Sequence, residues 1–261
     1  MAQTLSPGPS GRAGATRGPV TGTAAPPTAR RRRPFLVDLY GSALGKKYVM
    51  AITGIAWMGY VLAHMIGNLK AFLGPAELNH YAEFLRELLV PILPRTVTLW
   101  LIRIGLIAAF VGHIFAAASL TAQNRKANVP YQSRRDYLAA NFAARTMRWT
   151  GVIILLFLIF HLADLTWGLK PIATEQWSRG LAYENVTESL QRVGVAVFYI
   201  LANIALGIHL FHGSWSLVQS LGFNNPRFNN ARRYFATGFA VLIAGINISF
   251  PIMILAGVVG N

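Results

Sequence analysis

Apolar residues gather in five long runs along this chain, at about 48–72, 96–121, 147–168, 193–219 and 235–258. Each run is near or above the roughly 18 residues that mark a membrane-spanning helix, and at about 1.5 Å per residue each reaches across a hydrocarbon core of about 30 Å. The pattern changes at 77–90, where Leu78, Tyr81, Leu85 and Leu88 recur at helical spacing among charged residues. That spacing predicts a short amphipathic helix between the first two spans. The mixed segment 35–45 is expected at the membrane interface. Residues 1–33 are Gly, Pro, Ala, Thr and Arg without apolar periodicity, and a segment that buries no apolar face is expected to stay disordered. The predicted organisation is therefore all-α: a disordered basic cytoplasmic tail over 1–33, then an integral membrane bundle of five transmembrane helices over 34–261.

Composition agrees with the pattern. The chain is 54% hydrophobic and only 13% charged, where a soluble domain carries about a quarter charged residues. It contains no cysteine, which excludes a disulfide framework, a thiol nucleophile or a thiolate metal site built by this chain alone. The net charge of +15 is not read as a nucleic-acid footprint, because the excess lies in particular loops. Seventeen lysines and arginines fall in the tail and in the loops after spans two and four, against six on the opposite side. By the positive-inside rule the N-terminus is cytoplasmic and the C-terminus outside. Arg30 to Arg33 superficially resemble a twin-arginine signal. The apolar run begins only near Tyr48 and no cleavage pattern follows, so they read as a topogenic anchor.

Four histidines interrupt four different spans: His64, His113, His161 and His212. An ionisable group at such depth is costly and marks a functional site. With spans one and three running outward and two and four inward, His64 and His161 lie about 10 Å below the outer surface, and His113 and His212 lie similarly near the inner one. Two imidazoles at one depth on two helices clamp a planar iron porphyrin from both faces, so the pairs predict two haem centres stacked across the bilayer. His209 shares the face of His212 and is the alternative ligand. The bland alternative is that each histidine is hydrogen-bonded within the bundle.

Several motifs carry a family resemblance over residues 35–258. They are Ser42-Ala-Leu-Gly-Lys-Lys47 leading to Met50-Ala-Ile-Thr-Gly54, Ala63-His64-Met65-Ile-Gly-Asn68, Phe110-Val-Gly-His113, Ile159-Phe-His161-Leu162, His209-Leu-Phe-His212-Gly-Ser-Trp215 and Gln219-Ser-Leu-Gly222. In this order the chain resembles the membrane anchor of succinate dehydrogenase and fumarate reductase, in its single-subunit, five-helix, di-haem cytochrome b form. The resemblance implies two b haems, the outer on His64 and His161 and the inner on His113 and His212, with His-Gly-Ser favouring His212 over His209. It implies a flavoprotein and an iron–sulfur subunit on the cytoplasmic face, and a quinone, menaquinone by preference, as electron acceptor in a bacterial plasma membrane. Dicarboxylate chemistry would belong to those partners and not to this chain. A glutamate common in the family two residues before the fourth ligand is replaced here by Leu210.

Other residues follow by position. Ser42, Lys46, Lys47, Arg148 and Trp149 are candidates for the propionates of the inner haem. Arg103, alone well inside a span, is a candidate for an outer propionate or for pairing with Asp164. Glu83, Glu87 and Asp164, with His80 behind them, are quinone-region candidates. Two other readings stay open. A Rieske-type [2Fe–2S] centre would use His209 and His212, or His113 with one of them, and take its two cysteines from a partner. A transporter or proton channel with a histidine relay would show inverted repeats or broken helices.

Overall fold

The five apolar runs are helices in the computed structural model, which describes residues 34–126, 137–222 and 225–260. Among the described residues every regular element is helical. The first is α1 (Phe35–Gly41), followed by the first span α2 (Ala43–Asn68). Ser42 separates them: its side chain accepts from Gly45 N at 2.9 Å, satisfying one of the unpaired N–H groups that open α2. The tail over 1–33 lies outside the described residues.

A 3-10 turn (Leu69–Leu73) ends the first span, and Gly74 at φ 102° turns the chain into α3 (Pro75–Glu87), with proline at the helix start. The predicted amphipathic helix is therefore present but shorter than expected. It stops at Glu87, so Leu88 of the predicted stripe lies outside it, in extended backbone ahead of Pro91 and Pro94. The second span is α4 (Val97–Lys126) and the third is α5 (Tyr137–His161), which continues into a π-helical turn (Leu162–Thr166). A further helix, α6 (Ala182–Gln191), was not expected from the sequence. Arg192 then leaves helical geometry and α7 (Val193–Ser220), the fourth span, begins. A 3-10 turn (Pro226–Phe228) leads into α8 (Asn229–Leu255), the fifth.

Packing is centred on α7, which lies most extensively against α8 and also touches α2 and α5; α4 packs mainly on α2. The buried positions are small: Ala51, Ala116, Ala196, Ala202, Ala205, Ala236 and Ala240 are nearly inaccessible. The large side chains Ile52, Trp100, Leu101, Ile104, Ile107, Leu156, Leu201 and Val241 face outward. A soluble protein would invert that distribution. In a membrane the outward face is solvated by lipid, and small residues let helix backbones approach. A close approach joins α7 to α8, where a Cβ built on Gly207 would stand 2.9 Å from the Ala244 Cβ. Filling that contact strains a well-packed interface by about 1–3 kcal/mol. Gly207→Val should therefore lower the thermal midpoint of the detergent-solubilised protein. Gly59→Ala, at a position with nothing within 4 Å, should leave it level or raise it. Equal midpoints for the two variants would contradict this packing.

Candidate functional site

Two local units repeat in this bundle. On α2 the sequence Thr53-Gly54 precedes His64 by one spacing, and on α5 Thr150-Gly151 precedes His161 by the same spacing. Thr53 Oγ1 lies 2.6 Å from Val49 O and 3.0 Å from Nδ1 of His113 on α4. Thr150 Oγ1 lies 2.6 Å from Thr146 O and 3.1 Å from Nδ1 of His209 on α7. A threonine hydroxyl has one proton, and a carbonyl only accepts. Each hydroxyl therefore donates back along its own helix and accepts from the imidazole Nδ1–H. That fixes the tautomer: His113 and His209 carry the proton on Nδ1 and present a free Nε2 lone pair, the form that binds a metal. The glycines leave room beside the rings, since a Cβ on Gly54 would reach 3.7 Å from His113 Cε1, and one on Gly151 would reach 3.7 Å from His209 Cε1. His209 is also within electrostatic reach of His113.

At the other level His64 and His161 face each other from α2 and α5, with ring centres 5.9 Å apart and planes at 84°. Two imidazoles bound to one metal at about 2 Å each have ring centres about 6 Å apart, so the pair already has that spacing. Tyr60 stacks on His64 at 5.5 Å. His161 Nδ1 lies 3.3 Å from the Tyr199 hydroxyl, which lies 3.3 Å from Asp164 Oδ2. Asp164 sits in the π-helical turn and is 1% exposed. It accepts from Arg192 Nη2 at 2.9 Å on its other oxygen and from Ser189 Oγ at close range. Arg192 also donates to Ile172 O at 2.7 Å and remains partly exposed. The extra residue of a π turn, a feature frequent at functional sites, carries this carboxylate inward to meet α6 and α7.

The donor set suits a group that brings most of its own ligands. Among the described residues no three His, Cys, Asp or Glu side chains converge on one point, so a bare ion finds no cage there, whereas paired imidazoles complete a metal already held by a macrocycle. Between the two levels, packed against Phe110 and Tyr60, the Trp57 Nε1 is buried without a hydrogen-bond partner among the described residues. A buried donor of this kind calls for an acceptor, which a group carrying carboxylates supplies.

The sequence-predicted residues divide. His64 and His161 come together as expected. His113 and His209 hold equivalent places in the two repeats, each bonded through Nδ1 to the repeated threonine; His212 Nδ1 lies 3.3 Å from Thr146, one turn away. Arg103 does not pair with Asp164. It is exposed, stacked over Trp100 at 5.0 Å, and Arg192 takes the carboxylate. Of the inner-haem propionate candidates Lys46 alone is buried. Ser42 is occupied as a helix cap, and Lys47, Arg148 and Trp149 are exposed. His80 is exposed on α3. Glu83 is committed to Arg86 at 2.7 Å and to Arg95 at close range, and Glu87 lies 3.7 Å from Arg95. Tyr199, Ser189, Arg192, Thr53 and Thr150 were not singled out by sequence. The repeated Thr-Gly and its fixed distance to a histidine was the available signal for the two threonines, and nothing comparable marked the other three.

The two acidic sites predict different costs. Asp164→Ala leaves Arg192 facing an apolar interior and should destabilise by roughly 3 kcal/mol, the lower end for breaking a buried pair because Arg192 is partly in water. Glu83→Gln, at the surface where water screens the pair, should cost much less. Thermal unfolding of both variants checks the ranking, and equal losses would contradict it.

Hydrogen bonds from Arg95 and then Arg86 hold the Glu83 carboxyl below the usual carboxylate range. A depressed folded pKa gives a contribution present above the unfolded value and lost as pH falls through the folded one. Infrared titration of isotopically labelled glutamate, compared with Glu83→Gln, should therefore find the Glu83 carboxyl protonating at lower pH than a free glutamate. Uniform protonation of all glutamates would remove the pairing. Searches of protein-family models, of curated proteins and of solved structures returned no match to this chain, so its function is read from the site itself.

Proposed function

We propose that the chain is the membrane-anchor cytochrome b subunit of a succinate:quinone oxidoreductase. The observations that support it most are the His64–His161 ring pair and the Nδ1 contacts of His113, His209 and His161 to hydroxyls, which leave Nε2 to a metal. His64 and His161 would hold the outer of two b haems. His113 and His209 would hold the inner, the repeated threonine contact favouring His209 over the His212 that the family motif prefers. Bound between these histidines, haem would supply one-electron chemistry.

The chain's own contribution is to hold the rings at fixed tautomer and separation inside an apolar bundle that keeps water from the metal. Lys46, buried at the start of α2, is the candidate to meet an inner propionate. The basic side of the chain is the docking face for an iron–sulfur subunit and its flavoprotein, which places the N-terminus in the cytoplasm of a bacterial cell. The quinone, menaquinone by the family resemblance, would be reduced near the outer level, for which Asp164, Glu83, Glu87 and His80 are the candidate residues by position.

A pyridine-haemochrome assay on the purified complex tests the proposal. Two b haems per chain are expected. His64→Ala or His161→Ala should lose one, His113→Ala or His209→Ala the other, and His212→Ala should retain both. No haem, with a Rieske-like EPR signal in its place, would move His113 and the α7 histidines to a [2Fe–2S] centre shared with partner cysteines. Neither signal would turn the reading toward transport.

A further inference from the structure

We propose that Asp164, acting through Tyr199, is a positioning residue that holds the proton on Nδ1 of His161 and lowers the reduction potential of the centre that His161 ligates. The inference rests on the proposed reading that His161 is an axial ligand. The two levels differ in where the Nδ1–H bond ends. At the inner level the chain runs imidazole, threonine hydroxyl, backbone carbonyl, and every member is neutral. At the outer level it runs imidazole, tyrosine hydroxyl, buried carboxylate.

The direction of the outer bonds follows from the donors available. The Tyr199 hydroxyl has two neighbours at equal distance, Asp164 Oδ2 and His161 Nδ1, each 3.3 Å away. An ionised carboxylate accepts only. Asp164 accepts from the guanidinium of Arg192 and from the Ser189 hydroxyl, the bonding of a carboxylate. The phenol proton therefore points to Asp164, and the phenol oxygen accepts from His161. The arrangement has the form of a carboxylate–histidine–metal triad with a tyrosine inserted, and such partners raise the donor strength of the ligating nitrogen. A stronger donor stabilises the oxidised, more positive metal, so the potential falls. Arg192 opposes this only in part. It binds Oδ1, the oxygen turned away from Tyr199, and it is partly exposed, where water screens it. The negative end of the pair is the end that faces the imidazole.

Spectroelectrochemical titration of the haem-loaded complex, with wild type, Tyr199→Phe and Asp164→Asn in parallel, decides it. Tyr199→Phe removes the link and leaves Asp164, Ser189 and Arg192 bonded to one another, so it separates tuning from folding. The expected result is an upward shift of the midpoint of one centre only, the centre that His64→Ala removes, in both variants. The other centre should titrate as in wild type. Haem present with both midpoints unmoved in Tyr199→Phe, or both moved equally, overturns the inference and leaves the proposed function standing. A wild-type complex with no b-type band overturns both.

Discussion

A histidine Nδ1–H bonded to a hydroxyl on the neighbouring helix recurs at both levels of this bundle, and the rest of the site depends on it. In an apolar interior the ring cannot leave that proton unpaired without losing the full cost of desolvating it. The bond therefore fixes three things together: which helices are adjacent, how each ring is turned, and which nitrogen stays available. On α2 and α5 the threonine spends its own proton on the carbonyl one turn back. The pairing then works only with the imidazole as donor. An alanine at each threonine would let the helix span the membrane as well but would leave the rings free to flip.

The position of α7 follows from the same requirement. It carries one imidazole toward α5 through Thr150, brings Tyr199 to His161, and so must touch α5 along much of its length. Its opposite face is then left to α8, and there it is small residues that allow contact: Gly207 against Ala244, with Ala202, Ala205 and Ala240 buried nearby. The fifth span has no membrane histidine and no part in either pair. It closes the back of α7 and keeps lipid from the side opposite the site, and on its inner face Ala236, Ala240, Ile243, Phe250 and Ile254 are all buried.

How much of this was legible in the sequence divides by physical cause. The five spans were, because length and hydropathy act on whole segments and tolerate errors of several residues. The start of α2 was placed late, because Lys46 and Lys47 look like the end of a membrane segment while the Ser42 cap and a buried Lys46 extend the helix past them. Helix α6 was not legible: it is short, and the residues it buries, Asn185, Thr187 and Ser189, are polar ones that read as loop. Histidine depth was legible and correctly brought His64 to His161. The choice between His209 and His212 was not, since residues three apart share a face and only the partner threonine separates them. The partner of Asp164 needed the π turn, which no local pattern announced, and so the nearest visible arginine, Arg103, stood in for Arg192.

The two repeated units part company just beyond His64 and His161, and that divergence makes the surroundings of this histidine pair lopsided. Three residues after His161 stands Asp164; three residues after His64 stands Gly67. A Cβ at Gly67 would come within 2.6 Å of the Tyr81 ring, so in the first unit that place is filled by an aromatic from α3. In the second unit it is filled by a carboxylate with three donors brought by α6 and α7. The glycine lets a connecting helix press an apolar ring against α2, while the aspartate recruits a connecting helix through polar bonds. Both devices seal the outer end of the bundle, but only one adds a buried anion, and it stands behind His161 alone. An apolar seal on both units would have left two nearly equivalent outward imidazoles. The asymmetry is therefore set by one position in each repeat, Gly67 against Asp164, and not by the histidines themselves.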